Sequence, residues 1–83
     1  MTQLDAKMKV GLRIKELRGA LGLSQEALAY SIGMSRTYFA EVETGKRNIS
    51  IENIARIASG LKVNLKMFFD SELFSDDGQP PSS

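Results

Sequence analysis

Residues 24–45 read SQEALAYSIGMSRTYFAEVETG, and this stretch predicts two short helices joined by a tight turn. Ser24 and Ser35 each precede a helical pattern, and a serine oxygen there can accept from the unpaired N–H groups of the first turn. Gly33 can take the positive φ that closes the turn, and Gly45 can end the second helix in the same way. Two such helices with a glycine-containing turn form a helix-turn-helix, which places its second helix in the major groove of DNA.

The second motif helix carries the side chains that are expected to meet DNA bases. A reading helix presents its N-terminal residues to the base edges, which puts Arg36 and Thr37 first. Arg36 can bond both acceptors of a guanine, and Thr37 offers a hydroxyl and a methyl group. Tyr38 is either a core residue or an exposed one, and other apolar residues already fill the core positions of this helix, which favours exposure.

Donors on both sides of this helix suit contacts to DNA phosphates. They are Gln25 in the first motif helix and Lys46, Arg47 and Asn48 in the loop after the second. Such contacts position a protein on the duplex without reading its sequence. From the same loop, Arg47 could also reach a base edge. Capped helix pairs with a glycine turn also occur in purely structural bundles, so a protein-interaction module without DNA binding is an alternative.

The composition indicates one small globular domain and argues against an enzyme. The 83 residues are 42% hydrophobic and 25% charged, which is ordinary for a soluble protein with a single core. Cysteine and histidine are absent, which removes disulfides, the commonest metal ligand and the most versatile general base. We therefore expect no catalysis, no metal and no cofactor. The sequence has neither a membrane-spanning apolar run nor a signal-peptide pattern, so we expect a cytoplasmic protein without membrane contact.

Charge is distributed unevenly along the chain. All 11 Lys and Arg residues precede residue 70, together with six of the ten acidic residues, so this part carries a net charge of +5. The other four acidic residues follow it without any basic residue. A basic body suits a nucleic-acid-binding protein, although a solvated surface of mixed sign would look similar.

Apolar residues at helical spacing predict three further helices around the motif. The first covers residues 4–21, and its buried stripe consists of Val10, Ile14, Leu17 and Leu21. A fourth helix begins after Ser50, and a fifth runs from residue 65 to about residue 73. The prediction is an all-α domain of five helices over residues 1–74, followed by a flexible polar and acidic tail over residues 75–83.

The fifth helix is apolar on more than one face. A domain this small cannot bury all of these side chains, so the surplus predicts a homodimer interface. The residues assigned to that interface are Ile51, Leu65, Met67, Phe68 and Phe69. A two-fold dimer would set its reading helices about one turn of DNA apart, roughly 34 Å.

Arg18 follows the buried stripe of the first helix by one residue, and a partly desolvated arginine needs an acidic partner. Glu43, near the end of the second motif helix, is the candidate. One ion pair there would lock the first helix onto the reading helix. The alternative is that both side chains are exposed and unpaired.

The sequence also resembles a known family. RIKELRGALGLSQEALA (residues 13–29) and SRTYFAEVETGKRNISIENIARIA (residues 35–58) resemble the lambda-repressor-like helix-turn-helix class. They are still more similar to the controller proteins of type II restriction–modification systems, and the resemblance covers roughly residues 10–70. Its most specific part is the order of Arg-Thr-Tyr, Glu-x-Gly and Arg-Asn-Ile-Ser.

This resemblance implies a five-helix homodimer that binds palindromic operators upstream of its own gene and of the endonuclease gene. It would activate at one site and repress when a second is filled, with RNA polymerase as a further partner. A transcriptional repressor of phage or antitoxin type is the nearest alternative.

The resemblance also implies roles for single residues. Base contacts would come from Arg36, Thr37 and Arg47, and backbone contacts from Gln25, Tyr38 and Asn48. Arg18 and Glu43 would form the internal pair of the family. Ser35 stands where relatives often carry Asp; either residue caps a helix, and we assign Ser35 a backbone contact as well. The acidic tail departs from the family pattern.

Overall fold

The computed structural model describes residues 4–75, and every regular element in that range is helical. The elements are α1 (Ala6–Leu21), α2 (Gln25–Ser31), α3 (Arg36–Glu43), α4 (Ile51–Gly60) and α5 (Leu65–Phe68), followed by a short 3₁₀ helix, Glu72–Phe74. The predicted all-α fold with five helices is confirmed. Apart from Ser75, the predicted acidic tail lies outside the described residues. No helix within residues 4–75 is long and apolar enough to cross a membrane.

A side chain caps the N-terminus of each of these five helices. The predicted Ser24 and Ser35 cap α2 and α3, Ser50 caps α4, and Asn64 caps α5. The four side-chain oxygens accept backbone N–H groups at 2.8 to 3.1 Å. α1 begins two residues later than predicted. The reason is Asp5, whose carboxylate accepts from the N–H of Met8 at 2.9 Å and so starts the helix at Ala6.

The core lies between the helices and uses most of the predicted apolar positions. Its largest fully buried side chains are Phe39, Phe68, Ile14, Leu28, Ile57 and Val42. Leu21, which was predicted to extend the buried stripe of α1, is exposed instead. α1 ends at Leu21, and after a left-handed turn at Gly22 it is Leu23 that packs against the core.

α1 and α3 cross with their backbones in contact at Gly11. A Cβ atom added to Gly11 would lie 2.7 Å from the carbonyl oxygen of Val42, closer than real Cβ atoms approach. A larger residue would therefore force the two helices apart. This close crossing holds the second motif helix against the 16-residue α1.

The fifth helix is shorter than predicted. Its last carbonyl groups are taken by Arg13 of α1, whose Nε donates to the oxygen of Phe68 at 2.7 Å and whose Nη2 donates to that of Met67 at 2.9 Å. The chain then turns, and the 3₁₀ helix brings the ring of Phe74 to 5.0 Å from that of Phe69. Phe68 is fully buried within the monomer, so its assignment to a dimer interface is wrong.

Candidate nucleic-acid interface

The turn between α2 and α3 is held in place from α4. Gly33 has a φ of 67°, the left-handed conformation predicted for it. Arg56 donates from Nη2 to the carbonyl of Ile32 at 2.6 Å and to that of Gly33 at 3.3 Å. These bonds satisfy carbonyl groups at the end of α2 and fix where α3 begins. Sequence reasoning missed this role because the partners of Arg56 are backbone atoms, which have no signature in a sequence.

α3 turns one face to the core and another to solvent. Phe39 and Val42 are buried, as predicted. Arg36 and Thr37 are exposed, and within residues 4–75 neither side chain has a hydrogen-bond or ion-pair partner. Both side chains are therefore available to a ligand.

The exposed part of α3 forms one wall of a shallow cavity of about 390 Å³. Its lining includes Gln25, Arg36, Thr37, Glu41 and Lys46. Four of the residues predicted to contact bases or phosphates thus share one concave surface, and Glu41 adds an acidic side chain to it.

The loop after α3 carries Arg47 and Asn48, and both are exposed. Arg47 lies back against α3: its Nε is 3.3 Å from Oε1 of Glu41, and its guanidinium carbon is 5.0 Å from the centre of the Tyr38 ring. Tyr38 is half-buried and packs against the core, and its hydroxyl accepts from Nδ2 of Asn53 at 3.4 Å. Tyr38 is therefore neither purely a core residue nor purely an exposed one, because its ring contacts the core on one side and an exposed arginine on the other.

Like Tyr38, two further residues predicted to contact the DNA backbone already have partners inside the protein. Oγ of Ser35 accepts from the N–H of Tyr38 at 3.1 Å, and Gln25 donates an amide hydrogen to Oε1 of Glu43 at 2.8 Å. The hydroxyl hydrogen of Ser35 and the second amide hydrogen of Gln25 have no acceptor within the described part of the chain, so each could still be given to a phosphate.

Behind this surface, Arg18 and Glu43 form the ion pair that the sequence suggested. Nε of Arg18 donates to Oε2 at 2.6 Å and Nη2 donates to Oε1 at 3.0 Å, so both arms of the guanidinium bind the carboxylate. The Glu43 hydrogen bond raises the pKa of Arg18 above its usual value, which keeps the arginine charged. Because Gln25 binds the same carboxylate, α1, α2 and α3 are joined at Glu43.

The remaining residues of the predicted dimer interface differ in exposure. Ile51 and Met67 are 58% and 51% exposed, whereas Leu65 and Phe69 are half-buried against the core. α4 and α5 thus each present one large apolar side chain to solvent.

Comparison with known proteins places this geometry in a family. A family model described as helix-turn-helix matches residues 14–68. The control protein C.MunI of Mycoplasma is 44% identical over 73 residues, which are 87% of this chain and 92% of that protein. The crystal structure of the restriction–modification controller protein C.AhdI from Aeromonas hydrophila is also 44% identical, with a TM-score of 0.72 over 76% of this chain and 96% of that one. The chain is a restriction–modification controller protein.

Several structures in this family contain DNA. The controller protein C.Esp1396I was crystallised as a tetramer in complex with its natural 35 base-pair operator. C.Esp1396I is 38% identical to our chain, and the two structures match with a TM-score of 0.72 over 76% of our chain and 83% of C.Esp1396I. The part of our controller protein matched by the family model ends at residue 68, so the 3₁₀ helix Glu72–Phe74 lies beyond it.

Proposed function

We propose that this controller protein is a sequence-specific DNA-binding regulator of transcription that acts on its own promoter and on that of an endonuclease gene. The observation that carries the proposal is the exposed pair Arg36 and Thr37 at the N-terminus of α3, unpartnered within residues 4–75 and placed in one concave surface with Lys46 and Gln25. The operator complex of the related C.Esp1396I supports it.

In this proposal, α3 enters the major groove and the base contacts come from its first turn and from the following loop. Arg36 bonds O6 and N7 of a guanine, and Thr37 contacts a neighbouring base through its hydroxyl or methyl group. Arg47 reaches a base edge from the loop. The contacts behind α3, at Gly11 and Glu43, hold the helix that carries Arg36 and Thr37 in place.

Backbone contacts position the protein along the duplex. The donors are Gln25, Ser35, Tyr38, Lys46 and Asn48, supported by the unpaired N–H groups at the N-terminus of α3. These contacts carry no base information, so they contribute similarly to binding of every duplex.

A homodimer would give two reading helices and therefore a palindromic operator. Ile51 and Met67 supply its exposed apolar contacts, with Leu65 and Phe69 at their sides. The domain that binds DNA and dimerises spans residues 1–74, and we assign no role to residues 75–83. In the cytoplasm, a dimer bound at one site would contact RNA polymerase and activate transcription, whereas filling a second site would repress it.

The test is a binding titration with three duplexes at fixed salt. One duplex is selected from a random pool by the wild-type protein, the second differs from it at the guanine assigned to Arg36, and the third is scrambled. Arg36→Ala should lose about 1 to 3 kcal/mol of discrimination at one base pair per half-site and bind the scrambled duplex almost as before. Arg36→Lys should recover only part of the loss, because lysine lacks the planar fork.

Repeating the titration at several salt concentrations separates DNA binding from a protein-interaction module. A dimer that neutralises several phosphates should show a log–log salt slope on the order of −4 to −8. A slope near zero would contradict DNA binding. An equal loss on all three duplexes would instead reassign Arg36 to the backbone.

A further inference from the structure

Glu41 is an acidic residue in the middle of the proposed DNA surface. It lies on α3 one turn after Thr37, and it lines the same cavity as Arg36 and Lys46. A carboxylate at this position repels DNA phosphates, whatever the base sequence. Among residues 4–75, its 43% exposed side chain forms only a surface ion pair with Arg47, which is 49% exposed, and such pairs contribute little to stability. A contribution to folding therefore does not account for Glu41.

The contacts of Glu41 fix the orientation of Arg47. Its Oε1 lies 3.3 Å from Nε of Arg47, while the guanidinium sits over the Tyr38 ring at 5.0 Å. The two terminal NH₂ groups of Arg47 have no hydrogen-bond partner within residues 4–75. The guanidinium of Arg47 thus contacts Glu41 through its Nε and the Tyr38 ring through its flat face. Its two terminal NH₂ groups remain available to another molecule.

The support beneath Arg47 is itself braced from α4. The Tyr38 hydroxyl accepts from Nδ2 of Asn53, and Oδ1 of Asn53 accepts from Nη1 of Arg56 at 3.2 Å. Arg56 in turn binds the carbonyl of Ile32 in the α2–α3 turn. The ring under Arg47 is therefore part of the bonded framework that sets the position of α3.

We propose that Glu41 is a positioning residue that raises specificity: its carboxylate holds Arg47 on the Tyr38 ring for the operator and opposes binding to unrelated DNA. This inference rests on the proposed function. On unrelated DNA, the carboxylate repels phosphates and keeps Arg47 from swinging onto the backbone. On the operator, Arg47 is already oriented, so less side-chain entropy is lost on binding, which offsets the repulsion.

The test compares Glu41→Gln with Glu16→Gln. Both variants lose one negative charge, and both break an ion pair between an exposed glutamate and an arginine, since Oε1 of Glu16 lies 2.8 Å from Nη1 of Arg13. Glu16 is on α1 and does not line the cavity at α3, so it serves as the matched control. The probes are the duplex selected by the wild-type protein and its scrambled version, titrated over a range of salt concentrations.

Glu41→Gln should bind the scrambled duplex about five- to tenfold more tightly, with a salt slope steeper by about one, as expected for one additional phosphate contact. Its affinity for the selected duplex should stay the same or fall, so the ratio of the two affinities drops at least about fivefold. In an Arg47→Ala background, the same substitution should leave that ratio unchanged. Glu16→Gln should preserve the wild-type ratio.

Two results would overturn this role of Glu41 while leaving DNA binding intact. One is an unchanged affinity ratio, which includes equal tightening on both duplexes, and the other is a lowered ratio that persists without Arg47. A wild-type protein that does not prefer its selected duplex over the scrambled one would refute the proposed function, and the inference with it. Unfolding curves of the variants show whether a change in binding reflects lost folding instead.

Discussion

Replacing Arg18 by Met should destabilise the domain far more than replacing an exposed charge. Glu43 is only 2% exposed and Arg18 15%, and the substitution leaves the carboxylate with only the Gln25 amide. Breaking a buried ion pair by removing one partner costs about 3–5 kcal/mol. Because the Gln25 bond remains, we expect the lower end of that range, about 3 kcal/mol. For a domain of this size, each kcal/mol lowers Tm by about 4–8 °C, so Tm should fall by at least about 12 °C.

The pH dependence of this loss follows from the pKa of Arg18. The hydrogen bond that Arg18 donates to Glu43 raises that pKa in the folded state. The stabilisation is therefore fully present below the usual arginine pKa and is lost only as the pH rises through the raised pKa of the folded state. The deficit of Arg18→Met relative to wild type should therefore be constant across the neutral range. Thermal and urea unfolding followed by far-ultraviolet circular dichroism measure it.

Two control variants test whether the destabilisation by Arg18→Met depends on the burial of the ion pair. Glu16→Gln also breaks a salt bridge with an arginine, but the Glu16 side chain is 58% exposed, so the loss should stay below about 1 kcal/mol. The double variant Arg18→Met with Glu43→Met removes both charges and should recover most of the stability, because apolar side chains can replace a buried pair. An Arg18→Met deficit no larger than that of Glu16→Gln would refute the reasoning.

Two further predictions concern packing and assembly. Gly11→Ala should lower the free energy of urea unfolding by about 1–3 kcal/mol, because the new Cβ meets the carbonyl of Val42. In the control Gly19→Ala, in the same helix, the new Cβ meets no atom within 4 Å, so this variant should be stabilised by about 0.5–1 kcal/mol. Equal effects of the two substitutions would contradict the close helix crossing. In sedimentation experiments the wild-type protein should be a dimer and Met67→Glu a monomer, and the variant should also bind the operator more weakly. A wild-type protein that stays monomeric at tens of micromolar yet binds a palindrome tightly would exclude this interface.

The parts of the fold predicted correctly from the sequence depend on local chemistry. Ser24, Ser35 and Ser50 cap helices because the cap needs only a side-chain oxygen next to the first turn, and Gly33 closes the turn because its φ is positive. The partnership of Arg18 with Glu43 was accessible because it joins two charged side chains, and the family resemblance favoured it.

What the sequence could not reveal are bonds from side chains to distant backbone. Arg13 ends α5 across 55 residues and Arg56 holds the α2–α3 turn across 24, and in both cases the acceptor is a carbonyl group that every residue carries. Periodicity alone therefore extended the fifth helix to residue 73. The surplus of apolar residues placed Phe68 in a dimer interface, whereas Phe68 belongs to the core of the monomer.

The link from Arg56 to the turn has a mechanical consequence for recognition. α4 carries the exposed Ile51 at one end, and through Arg56 it is bonded to the segment that starts the reading helix. In a dimer formed through Ile51 and Met67, the distance between the two reading helices would then be a rigid property of the protein, set before any DNA is present. An operator with one base pair more between its half-sites could be accommodated only by twisting or bending the duplex, so its binding penalty would reflect the stiffness of the base-pair steps between the half-sites.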